Sequence, residues 1–103
     1  MRDIMLTNGS RVPIKVNFLT IKLMVDEDIE KLEKQRDKHP NDVRLQMKLA
    51  SKMIYIILRS NGLRVDEEEA AMLVPLDDEV IESVFQEFAQ KMEEFKKKQE
   101  NKM

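Results

Sequence analysis

The run from Val43 to Gly62, VRLQMKLASKMIYIILRSNG, constrains this chain more than any other stretch. It is the most apolar segment long enough to form a helix, and it ends on a stop signal. Val43, Met47, Ala50, Ile54, Ile57 and Leu58 recur at three- and four-residue steps. They therefore share one face of a helix spanning Val43 to Ser60. Leu45, Leu49, Met53 and Ile56 add apolar surface beyond that face. A helix apolar over so much of its circumference must be covered on more than one side. Asn41 or Asp42, just after Pro40, is placed to cap the free N–H groups at its start. Asn61-Gly62 is placed to end it, because glycine enters the left-handed conformation without a Cβ clash.

A chain of 103 residues reads as one domain, 1–103, with room for one modest core. Charged residues make up 37% and hydrophobic ones 42%, which suits amphipathic helices with charged outer faces. The net charge of −2 argues against nucleic acid, whose binders carry a basic stripe. Without cysteine there is no disulfide or thiolate chemistry, and a reducing cytosol fits. MRDIMLTNGSR lacks the apolar core of a signal peptide, and no run is long enough to span a membrane.

In chain order, residues 2–6 and 11–18 read as a β-hairpin turning at Asn8-Gly9, a pair that tolerates positive φ. Val12, Ile14, Val16 and Phe18 alternate with polar residues and Pro13, giving one buried strand face. Pro13 lacks an N–H, so this strand should lie at an edge. Leu19 to Val25 fits a strand or a helix. Asp26 to Lys38 is richer in helix formers and stops at His39-Pro40. Asp66 with Glu69 forms an acidic capping box for a helix ending before Pro75. Asp77 or Asp78 then caps a last helix, along which Ile81, Val84, Phe85, Phe88, Met92 and Phe95 step by three and four. The expected architecture is α+β and mostly helical: an N-terminal hairpin and link over 1–25, about four helices over 26–95, and a frayed basic tail over 96–103.

No constellation points to catalysis, a metal or a cofactor. The acidic runs at Asp66–Glu69 and Asp77–Glu79 sit where helices begin, and negative charge is favourable there. Placing Gly62 at the EF-hand glycine puts Ile57 and Arg59 where oxygen ligands are required. His39 is the only histidine, with no second imidazole for a zinc site, and Ser51, Ser60 and Ser83 have no base near in sequence. Tyr55 on the central helix reads as packed, with its hydroxyl at an edge. Eight methionines suit either an adaptable core or a binding groove.

The order of these pieces resembles the tail assembly chaperones of siphophages and related tail-like particles. The likeness rests on the N-terminal segment MLTNGSRVPIKVNF, on the helix, stop and acidic-capped helix of IYIILRSNGLRVDEEEAAMLV, and on PLDDEVIESVFQEFAQKMEEF. It covers residues 5–98. The resemblance implies a non-enzymatic protein that binds the long, apolar tape-measure protein and keeps it soluble while tail-tube subunits assemble around it. It further implies action in the host cytoplasm, absence from the mature virion, and in many members a longer form made by ribosomal frameshift. Lys96-Lys97-Lys98 lies where such a slip would fall.

A holdase needs apolar surface for its client and a charged exterior, and helix-in-groove binding would use Met and Phe side chains on one face. Met47, Ile54, Met72, Phe85, Phe88 and Met92 are the interaction candidates, for a client or for self-association. The hairpin edge and the apolar excess of the central helix favour a homo-oligomer. The rival reading is a small DNA-binding regulator of helix-turn-helix type, turning at Asn61-Gly62. Its second helix would press DEEEAAMLV toward phosphate. DNA titration at low and high salt separates the two: a regulator binds with a steep loss of affinity on added salt, whereas a chaperone shows no binding at either salt.

Overall fold

The computed structural model describes residues 3–101. Two strands, β1 (Asp3–Met5) and β2 (Arg11–Pro13), pair antiparallel with Ile4 opposite Val12. Five helices follow: α1 (Phe18–Asp26), α2 (Ile29–Lys38), α3 (Val43–Ser60), α4 (Glu67–Leu73) and α5 (Asp78–Asn101). The fold is α+β and mostly helical, as its sequence pattern indicates.

The hairpin is shorter than the alternation suggests, and its turn differs. Leu6 N–H donates to Ser10 O at 2.8 Å and Gly9 N–H to Leu6 O at 3.0 Å, leaving a three-residue loop over Thr7–Gly9. Gly9 alone takes a positive φ, 85°, while Asn8 does not. This is the turn-plus-bulge closure rather than the two-residue one. Thr7 then ties the loop to the end of α4: its N–H meets Leu73 O at 3.3 Å and its hydroxyl donates to Met72 O at 2.8 Å. Those carbonyls have no partner within so short a helix.

The strand expected to reach Phe18 stops at Pro13, and the ambiguous Leu19–Val25 is helical. Asn17 decides this. Its side chain accepts from Thr20 N–H at 3.2 Å, and Thr20 Oγ1 accepts from Asn17 N–H at 3.0 Å. That reciprocal capping box fixes the start of α1. Val12 and Ile14 are buried as the alternation requires, but Phe18 opens α1 and stands 79% exposed. The helix expected from Asp26 begins instead at Ile29, after Asp28 turns the chain in the left-handed region at φ 52°. At the other end, α5 keeps helical backbone to Asn101, past the expected fraying at Lys96. Lysines near a helix C-terminus complement its dipole.

The central helix runs from Val43 to Ser60, the bounds its caps indicate. Asp42 accepts from Arg44 N–H and Leu45 N–H. At the far end, Gly62 N–H meets Arg59 O at 2.9 Å and Leu63 N–H reaches back to Leu58 O at 3.1 Å. With Gly62 at φ 84°, this is a Schellman stop. Ile56, Ile57 and Leu58 are fully buried, surrounded by α1, α2, α4 and the hairpin. Each contributes about 1.5–3 kcal/mol by burial. Ile4, Ile14, Leu23, Ile29, Val84 and Phe88 complete one continuous core.

A buried polar node locks α3 to α1 and the hairpin. Thr20 is wholly buried and Ser60 nearly so. Ser60 donates to Ile56 O at 2.8 Å, so Thr20 donates to Ser60 Oγ. Asn17 Nδ2 donates to Ser60 O at 3.0 Å, and Asn61 Nδ2 to Pro13 O at 2.9 Å. Removing the Thr20 hydroxyl by Thr20→Val leaves Asn17 N–H without its acceptor and Ser60 without its donor. Urea unfolding of this variant should show a loss of about 1–3 kcal/mol with an unchanged m-value.

Candidate interaction surface

Helix α1, FLTIKLMVD, is apolar over most of its circumference, apart from Lys22 and Asp26. Thr20 and Leu23 face the core, with Leu19 and Met24 packed beside them. Phe18, Ile21 and Val25 step by three and four residues along the opposite side. Phe18 is 79% and Val25 70% exposed, with Ile21 half-buried between them. Lys22 and Asp26, paired at 3.0 Å, border this stripe. An apolar stripe of this kind normally lies against a neighbour.

A second apolar stripe emerges at the start of α3. Val43, Met47, Ala50 and Ile54 lie on one side of the helix. Ala50 and Ile54 are buried beside Pro75, Ile81, Val84 and Phe85. Beyond that cover Val43 and Met47 stand 62% and 64% exposed. Met72, on the side of α4 opposite the buried Ala70, is exposed as well, and so is Leu76 in the turn after α4.

The six candidates read from sequence therefore fall into three environments. Met47 and Met72 stand in solvent. Ile54 and Phe88 belong to the core of the domain. Phe85 and Met92 are half-buried against that core, and the Arg36 guanidinium lies 5.7 Å from the centre of the Phe85 ring. Sequence reasoning missed Phe18, Val25 and Val43 as exposed anchors. The available signal was the six apolar residues of FLTIKLMV, more than one buried face can use up.

A cleft of about 270 Å³ opens between the hairpin and the first half of α5. Ile4, Ile14, Val80 and Val84 form its apolar floor, and Asp3, Asp77, Glu79 and Glu87 its rim. Asp77 also caps α5, accepting from Glu79 N–H at 2.9 Å. Among the described residues no lysine or arginine lines this cleft, and no group of three or more His, Cys, Asp or Glu is arranged to hold a metal ion. Among the described residues no helix is long and apolar enough to cross a membrane. Ser60, part of the buried node, gives its proton to Ile56 O, and His39 is exposed at the end of α2.

Away from the cleft, Lys52 of α3 binds Glu27 at 2.7 Å and Glu67 at 3.2 Å, joining α3 to the α1–α2 turn and to the first turn of α4. Hydrogen bonds to Glu67 and to Lys52 hold the Glu27 carboxyl below the usual carboxylate range, against the upward push of burial. Burial pulls Lys52 down, but its bonds to the two glutamates more than offset this and raise it. Glu33 has the opposite sign from Glu27, because burial pushes its carboxyl up. Neither a protein-family model, nor a curated protein, nor a solved structure matches this chain.

The sign of the Lys52 contribution follows from these directions. Glu27, depressed in the fold, stabilises fully above the ordinary carboxylate range and loses that contribution as pH falls through its lowered value. Lys52, raised in the fold, stabilises fully below the ordinary lysine range and loses it as pH rises through its raised value. Lys52→Met strands two facing carboxylates and should cost about 1–2 kcal/mol at neutral pH. In denaturant titrations the gap to the unsubstituted chain should narrow as pH falls through the Glu27 titration.

Proposed function

We propose that this chain is a tail assembly chaperone of the siphophage type. It binds the tape-measure protein without catalysis and keeps it soluble while tail-tube protein assembles around it. The supporting observation is that large apolar side chains stand in solvent on a domain whose own core is already filled. Phe18 and Val25 on α1, and Val43 and Met47 on α3, are each exposed by more than half. Exposed apolar stripes framed by charge suit an amphipathic client helix, whose apolar face they would cover. Methionine at Met47 and Met72 adds a surface that adapts to an irregular client.

In this reading the chaperone acts in the host cytoplasm and leaves before the virion is complete. The tape-measure reading frame lies downstream of its gene, and a longer frameshifted form extends the chain beyond the lysines at 96–98. The regulator alternative has less support, because the helix after the Asn61-Gly62 turn has only seven residues and opens on three exposed glutamates.

Co-expression with that tape-measure protein tests the proposal. The client should move from the pellet to the soluble fraction when this chain is present. Phe18→Asp and Met47→Asp alter exposed positions and should leave the fold intact. Each should weaken client binding by about tenfold, the loss of one buried apolar anchor worth about 1.5 kcal/mol. Client solubility that is the same with and without this chain would refute the reading.

A further inference from the structure

We infer that Met47 makes the apolar stripe at the start of α3 a redox-sensitive surface: peroxide oxidation of its thioether weakens client binding, and reduction of the sulfoxide restores it. The inference rests on the client reading above. The two methionines of α3 stand in opposite environments. Met53 is 4% exposed within the core, whereas Met47, six residues earlier, is 64% exposed beside the exposed Val43. A thioether in solvent is open to attack by a peroxide, and one in a close-packed core is not. In that step a sulfur lone pair displaces the O–O bond of the peroxide, an S–O bond forms, and the second oxygen leaves as water. The sulfur is oxidised by two electrons and the peroxide is reduced by two.

The place of Met47 on the helix suits the oxidised form. Long helical side chains lean back over the preceding turn, which for Met47 carries Val43 and Arg44. Arg44, three residues before Met47, adjoins it on the helix surface and is exposed. A guanidinium only donates, and a sulfoxide oxygen accepts. Oxidation therefore replaces a soft apolar side-chain end with an S–O dipole that Arg44 can bind. Burying that dipole under the apolar face of a client helix is unfavourable. Met72 differs. It is 74% exposed, but the residues three and four before it on α4 are Glu69 and Glu68, whose ionised carboxylates have nothing to donate. A side chain as exposed as Met47 supports little of the core, so the sulfoxide should leave the fold intact.

The test treats the full chain with hydrogen peroxide, maps the sulfoxides by peptide mass spectrometry, and measures affinity for a helical tape-measure segment before and after treatment. Met47 should oxidise at least tenfold faster than Met53, with circular dichroism unchanged. Affinity for the segment should fall about tenfold and return after incubation with the two epimer-specific sulfoxide reductases. Each variant is compared with its own untreated sample. Met47→Leu should lose less than twofold on treatment, whereas Met72→Leu should still lose about tenfold. Met47 oxidising no faster than Met53, or a treated chain binding as tightly as the untreated one, would overturn the inference and leave the client reading standing. So would a loss that persists in Met47→Leu, which would assign it to another methionine. An untreated chain that does not bind the segment would refute the client reading and this inference with it.

Discussion

The hydrogen bond from the Thr20 hydroxyl to Ser60 Oγ is the contact on which the arrangement depends. It joins the first turn of α1 to the last turn of α3 in a fully buried setting, where an unpaired hydroxyl costs on the order of 1–3 kcal/mol. Around it, Asn17 caps α1 and also binds Ser60 O, while Asn61 holds the carbonyl of Pro13. Four short-range decisions are thereby made together: where the strand ends, where α1 starts, where α3 stops, and how the hairpin lies on the helices. No buried side-chain polar atom among the described residues lacks a partner, so the node specifies one arrangement without an electrostatic penalty.

With the end of α3 fixed, its two halves have different roles. The C-terminal half is enclosed, from Leu49 to Leu58. The first turns, with Val43 and Met47, extend past the cover supplied by α5. The same division operates across α1, whose inner side belongs to the core and whose outer side carries Phe18 and Val25. The interaction surface proposed above is thus what remains after an overall apolar sequence has filled one small core. Lys52, between Glu27 and Glu67, holds α1, α3 and α4 in register and keeps these outer faces in a fixed relation.

The parts of the fold that were legible in the sequence are those with explicit local signals. Asp42 and Asn61-Gly62 mark both ends of α3, and the alternation through Val12 and Ile14 marks the buried side of β2. Leu19–Val25 was not legible by periodicity, since Ile21, Leu23 and Val25 fit a strand while Ile21, Met24 and Val25 fit a helix. The deciding contact, Asn17 with Thr20, involves short polar residues whose role appears only once α3 brings Ser60 beside them. For the surface, spacing showed that Met47 and Ile54 share a side of α3. It could not show that α5 covers Ile54 and stops short of Met47. The burial of Phe88 was not legible for the same reason: amphipathic spacing identifies an apolar face but not what lies against it.

The most direct measurement is methionine-methyl NMR of this chain while a helical tape-measure segment is titrated in. Met47 and Met72 serve as exposed reporters, and Met53, which is 4% exposed, as a buried internal control. The account predicts that Met47 shifts with saturation, while Met53 stays in place because the core is not opened. A titration that leaves Met47 unmoved, or moves Met53 as much as Met47, would contradict it.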